Sequence, residues 1–219
     1  HTGAITALNK AGELLQTGAE RVIVGCVDSL VEPQTLWWLE HSRLLKTAER
    51  QDGRLPGEAA AYLVVERLED PPSEGLPVLA TLSNISMAEE AKSVWTGEPC
   101  VGEGLTDALR GAIEPLGEKA GEIDLIICDL NGERYRALEW GHAEMRVFAD
   151  FDVERRIWHV ADAIGDTGCA SGCVSIVYAI VVLQAGLAET ERILVWSSAD
   201  DGPRASLLVS VAPVPSAAA

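Results

Sequence analysis

Cys169 opens a long apolar stretch that runs to Gly186, within the segment Gly165-Asp166-Thr167-Gly168-Cys169-Ala170-Ser171-Gly172. A cysteine at a helix start sits where the helix dipole favours thiolate, which is how sulfur becomes a nucleophile. The same position also suits a small residue filling a tight helix start, because free cysteine is often buried and apolar in character. Cys173, one turn on, fits a packed face of small residues. Cys26 and Cys128 end apolar runs and are expected in the core. With Cys100 they make five cysteines without framework spacing, which points to reduced thiols and a cytoplasmic setting. Arg43, Lys46, Arg50 and Arg54 form a basic cluster on an acidic chain, suited to an acidic partner or to a solvated face.

The elements that must hold these residues alternate between helix and strand. Ile5, Leu8, Ala11, Leu14 and Leu15 predict a helix over 3–18 with Gly18 as its C-cap, and 21–25 (RVIVG) reads as a buried strand. Residues 33–45 read as a helix or irregular segment whose Trp37-Trp38 pair is expected in the core, with a pocket lining or a partner surface as the alternatives. A loop over 53–57, held by Glu58, leads to a strand over 59–66. A turn at 71–75 and a strand over 78–86 follow. Beyond them come an amphipathic helix (104–116), a buried strand (123–128), a helix (133–145), the apolar helix (169–186) and strands over 193–197 and 205–211. The tail PVPSAAA is expected to fray. This order predicts an α/β fold with sheets covered on both faces.

With 219 residues, 47% of them hydrophobic, the chain has ample material for a core. Its net charge of −17 repels phosphate backbones and anionic lipid, so neither nucleic acid nor membrane is expected as a partner. The best candidate for a membrane span, 174–187, reads as a buried helix too short for a bilayer. No cofactor and no metal site is expected. A chain opening at His1 within a helical pattern is expected to be a fragment, a processed product or one of two complementary pieces.

An internal echo links the two ends. Ala11, Leu15, Gln16 and Gly18 match Ala179, Leu183, Gln184 and Gly186, and Glu20-Arg21-Val22-Ile23-Val24 matches Glu191-Arg192-Ile193-Leu194-Val195. A duplicated helix–strand unit, near 3–28 and 170–199, accounts for both the identities and their order.

A duplicated α/β unit with a buried central helix resembles the thiolase fold, and the detail resembles its β-ketoacyl synthase branch. RQDGRLPGEAAAYLVVE is similar to that branch's RDGFVxGEGAAxLVLE, with Asp52, Gly53, Gly57, Glu58, Ala60 and Glu66 in place. GAITALNKAGELLQTGAERVIVGCVDSL resembles the helix and strand after the family's nucleophilic cysteine, with Gly25-Cys26 in place of a Gly-Gly pair. IDLIICDLNGE lies where the family has its HGTGT motif, and AIGDTGCASG where it has GHTxGAAG.

The resemblance implies a thiolase-like layered fold, incomplete in this chain, with residues 1–219 forming its C-terminal part. It puts the family's nucleophile just before His1, Asp129 at the first histidine position and Asp166 at the second; the expected lysine is replaced near Ala161 or Asp162. His1, His41, His142 and His159 fall elsewhere and are expected at the surface or in supporting positions. Cys169 becomes the pseudo-symmetry mate of the missing nucleophile.

Three functions follow from this resemblance: a synthase-like subunit that has lost condensing chemistry, an acyl transferase or hydrolase using Cys169 or a partner's cysteine, and an interaction scaffold. The expected partners are a complementary N-terminal half-domain polypeptide, in a dimer or larger assembly, and an acyl carrier protein at the basic cluster. Both echoing helices are expected to be nearly fully buried, Asp129 and Asp166 to share one pocket, and His1 to lie inside the protein mass, next to another chain's C-terminus or another copy.

Overall fold

The computed structural model describes residues 1–69 and 76–212. The expected turn at 71–75 and the PVPSAAA tail lie outside them. In chain order the elements are α1 (Gly3–Gln16), β1 (Val22–Ser29), α2 (Pro33–His41), β2 (Glu58–Val65), β3 (Ala80–Glu89), α3 (Glu103–Ile113), β4 (Leu125–Cys128) and α4 (Arg134–Phe148). They continue with β5 (Arg156–His159), the single turn α5 (Ala161–Ile164), α6 (Ser171–Ala185), β6 (Arg192–Ser198) and β7 (Pro203–Val211).

Strand parity builds the core. The five-stranded sheet has the order β3-β7-β6-β4-β5, with β4 parallel to β5 and β6, and β7 antiparallel to β6 and β3. Successive side chains on a strand point to opposite faces. Leu125, Ile127, Ile193, Val195, Leu207 and Val209 therefore meet α1 and α6. Ile126, Cys128, Leu194, Trp196 and Leu208 meet α3 and α4 on the other face, where Trp140 stacks on Trp196 at 5.3 Å. A separate antiparallel ribbon of β1 and β2, paired Val22↔Val65 through Ser29↔Glu58, lies over the α1–α6 layer. The layers thus run ribbon, helices, sheet, helices.

Several expectations need correction. The five-stranded sheet is covered on both faces, whereas the ribbon is covered on one and exposes Ile23, Val27, Tyr62 and Val64. α1 is not nearly fully buried: its apolar residues form a single stripe (Ala4, Ile5, Leu8, Ala11, Leu15), while Asn9, Lys10 and Glu13 face solvent. Trp37 and Trp38 are exposed, because α2 buries only Leu39; Trp37 stacks on His41 at 3.9 Å. Glu58 stands in β2 instead of fixing a loop, and its carboxylate accepts from the Ser29 hydroxyl at 2.9 Å. The short edge strand β5 was missed; its pattern, Arg-Ile-Trp-His, carries no alternation.

By length and composition, the helical segment Gly168–Ala185 is apolar enough to cross a membrane, contrary to the sequence reading. Here it packs between ribbon and sheet with half its length buried. Trp196 is fully buried at the centre of the sheet. Trp196→Ala is expected to cost about 3–5 kcal/mol, read as a fall in the urea midpoint; a loss below about 1 kcal/mol would contradict this packing.

Candidate functional site

The site is built where the C-terminal ends of β4 and β6 meet the turn before α6. Asp129 follows β4 directly, so the strand delivers its side chain into the interior. Asp166 is held by backbone on both sides: its N–H donates to the Leu55 carbonyl at 2.6 Å, and its carbonyl accepts from Gly57 N–H at 2.7 Å. That close crossing depends on two glycines. A Cβ on Gly57 would stand 2.0 Å from the Ile164 carbonyl oxygen, and Gly165 has φ +80°.

Asp129 and Asp166 share one narrow pocket with Cys128, Asn131, Thr167 and Ser171. Its volume of about 10 Å³ holds about one water molecule, not an acyl chain. A wider cleft of about 390 Å³ opens nearby, lined by Asp52, Leu130, Glu133, Arg134 and His159.

The two aspartates belong to a buried ionic network. His1 Nε2 lies 2.7 Å from Asp166 Oδ1, and Asn131 Nδ2 donates to Asp166 Oδ2 at 2.7 Å. Asp129 Oδ2 accepts from Ser198 N–H at 2.8 Å and from Arg136 Nη1 at 3.3 Å. Arg136, fully buried, also donates to Glu133 (3.2 Å), Asp200 (2.7 Å) and His1 Nδ1 (3.1 Å). Arg54 donates to Glu133 (2.7 Å) and Asp200 (3.0 Å) and lies 3.4 Å from Asp166. Because Arg136 is a permanent donor, His1 Nδ1 must accept, and the proton sits on Nε2 facing Asp166. A second buried pair, Arg204 Nε to Glu139 Oε1 at 2.6 Å, sits behind β6.

Sequence reasoning found Asp129 and Asp166 and their shared pocket. It missed Arg136, Glu133, Asp200, Arg204 and Glu139. It also placed Arg54 on a basic surface, whereas Arg54 is buried and faces three carboxylates; Arg50 lies 3.6 Å from Glu40, so the four cations form no single patch. One signal was available: Arg54 stands where the matching family stretch carries phenylalanine, and a guanidinium at an apolar position needs buried acceptors. His1 lies inside the protein as expected, with a side chain only 7% exposed, and it is part of the network. His41 and His142 are exposed, and His159 pairs with Asp162 at 3.2 Å.

Cys169 fits neither of its expectations. It is exposed, so it is not a buried filler. Its thiol is held above the usual cysteine value by partial burial and by Asp28, so it is not biased toward thiolate. Asp28 Oδ2 accepts from Cys169 N–H at 2.8 Å, putting a carboxylate at the helix start where a thiolate would be stabilised. Cys26, Cys128 and Cys173 are buried.

No family model matches the chain. It is 26% identical over 203 residues to the polyketide synthase ThaQ of Burkholderia thailandensis, covering 87% of this chain and 10% of that protein. Among solved structures, it superposes on the ishigamide ketosynthase/chain length factor with a TM-score of 0.81 at 17% identity, over 95% of this chain and 58% of that one. The chain has the thiolase-like fold of ketosynthases. It also superposes on a ketosynthase from a type II polyketide synthase complex with its acyl-carrier protein, with a TM-score of 0.67 at 18% identity, over 96% of this chain and 57% of that one. The chain spans between 4% and 46% of the length of the curated relatives it matches.

The network makes two predictions. Arg136→Met leaves Asp129, Glu133 and Asp200 without their shared cation and is expected to cost about 3–5 kcal/mol in urea unfolding; a change within about 0.5 kcal/mol would contradict the network. The second concerns pH. Burial pushes the Asp129 carboxyl up more than Arg136 and the Ser198 N–H pull it down. A raised carboxyl costs stability as pH climbs from the unfolded value near ~4 through the folded one. Asp129→Asn is therefore expected to raise the urea midpoint at pH 7, the gain shrinking toward pH 4. Asp200 has the opposite sign: burial raises it, but Arg136 and Arg54 outweigh burial and hold it low. Its stabilisation is present above the unfolded value and lost as pH falls through its folded value. Equal gains for Asp129→Asn at both pH values would contradict the assignment.

Proposed function

We propose that the chain is a ketosynthase-like subunit without condensing activity of its own, structural or regulatory in an acyl or polyketide assembly. The observation that carries this reading is the tying of Asp129 to Arg136 and of Asp166 to His1, Asn131 and Arg54. At those two positions the family resemblance calls for histidines. A histidine N–H donates to a developing oxyanion, whereas a carboxylate only accepts. Losing one such donor typically costs about 3 kcal/mol of transition-state stabilisation. The cations beside the aspartates already face carboxylates, and the pocket between them is water-sized.

In this reading residues 1–219 act as the C-terminal part of a synthase-like domain whose helix–strand units, α1–β1 and α6–β6, arose by duplication. Its partner is a complementary polypeptide that covers the ribbon. The outer ribbon face supports this: Ile23, Val27, Tyr62 and Val64 form an exposed apolar surface beside unpaired strand edges. An acyl carrier protein is a further partner, as in the solved ketosynthase complex, and the setting is cytoplasmic, in keeping with five free thiols.

The test is malonyl-thioester decarboxylation and condensation by the purified chain, with Cys169→Ala, Asp129→Ala and Asp166→Ala alongside. No turnover above the no-protein control is expected, and no acyl adduct in the intact mass after incubation with acyl thioesters. Robust turnover or an adduct that disappears in Cys169→Ala would instead establish the transferase reading, with Cys169 as nucleophile.

A further inference from the structure

Two thiols that the site leaves unused converge between the ribbon and α6. Cys26 lies in β1 directly opposite Ala61 of β2 and is buried, on the inner face of the ribbon. Cys173 lies in the first turn of α6, fully buried, and its thiol donates to the Ala61 carbonyl at 3.4 Å. Both side chains thus meet at the same ribbon position and belong to one buried cluster. Only small residues, Ala4, Ala61 and Ala170, complete the buried part of this cluster. No large side chain among them needs to be displaced for the sulfurs to close to bonding distance. Cys169, one turn earlier, turns away to the Val27 carbonyl (3.6 Å) and remains exposed.

We propose that Cys26 and Cys173 are a redox-sensitive pair that forms a disulfide when the chain meets a hydroperoxide. Burial raises the Cys26 thiol, so it reacts slowly and through its minor thiolate form: that sulfur attacks one peroxide oxygen, the O–O bond breaks, and with hydrogen peroxide the first water leaves, giving a sulfenic acid. The Cys173 sulfur then attacks the Cys26 sulfur, the S–O bond breaks, and a second water leaves. Two thiols and one peroxide become one disulfide and two waters; the sulfurs are oxidised and the peroxide oxygens reduced. The new bond ties β1 to α6, and so fastens the ribbon to the helices packed on the five-stranded sheet. Residues this far apart in sequence close a large loop, so the bond restricts the unfolded chain strongly.

The experiment uses the full chain, purified reduced and exposed while folded to hydrogen peroxide. Free thiols are then alkylated under denaturing, non-reducing conditions and the peptides are mapped by mass. The expected result is a Cys26–Cys173 linked peptide pair, a mass loss of two hydrogens, and a Tm raised by roughly 5–10 °C, all reversed by dithiothreitol. Cys169→Ser is expected to keep the link and Cys173→Ala to abolish it. The mapping of the unsubstituted chain decides the matter even if a variant fails to fold. Separate alkylation of Cys26 and Cys173 after oxidation of Cys169, or links that join Cys100 or Cys169 instead, would overturn the proposal.

Discussion

A guanidinium cannot be buried alone, and Arg136 sets the terms for everything around it. It is fully enclosed, so each of its N–H groups must find an acceptor inside the protein. Asp129, Glu133, Asp200, His1 and the Ser198 carbonyl supply them, drawn from the loop between β4 and α4, the end of β6 and the turn after it, and the first residue of the chain. Segments distant in sequence are thereby held in one register. Arg54 repeats the device from the loop before β2, meeting Glu133 and Asp200 from the other side. Two cations among four carboxylates leave the interior short of positive charge, and Asp129 Oδ1 is left without a partner. Such an arrangement specifies geometry more than it adds stability, because desolvation offsets most of the Coulombic gain.

The fold supplies what this network needs. Parallel β4 and β6 end at the same level, so Asp129 and Ser198 emerge side by side. The apolar residues of the sheet are divided cleanly between its two faces, and the polar network is confined to the strand ends, outside the carboxyl edge where α/β sheets place their sites. At those strand ends the space between Asp129 and Asp166 is narrowed by ion pairs to a water-sized pocket.

Much of this was legible in the sequence. Periodicity located α1, α3, α4, α6 and most strands because each has a strong apolar pattern. The order of motifs gave the fold and put Asp129 and Asp166 together. What could not be read were the long-range charge pairs. Arg136 and Glu139 lie in the helical pattern of α4 like ordinary surface charges, and only the packing of α4 over the sheet turns them inward. Arg54 looked like one of four basic residues because sequence proximity to Arg43, Lys46 and Arg50 says nothing about which of them is enclosed. Cys169 was misjudged for a related reason: its environment is set by Asp28, far away in the chain but bonded to its N–H. Trp37 and Trp38 were assigned to the core by residue type alone, and type is a weaker guide than the single buried position, Leu39, that α2 offers.

The ribbon, resting on one face only, divides the molecule into parts of unequal cohesion. A two-stranded sheet has little stability of its own, and this one depends on contacts with α1 and α6. The amides of β1 and β2 can open without disturbing β4, β6 and β7, which are enclosed on both sides. The chain is therefore built as a rigid five-stranded foldon carrying a softer one, whose backbone hydrogens exchange by local opening while those of the central strands wait for global unfolding. A molecule bound on the ribbon would act first on that opening equilibrium, and its binding energy would appear as slowed exchange in 22–29 and 58–65 before any change reached the buried charges.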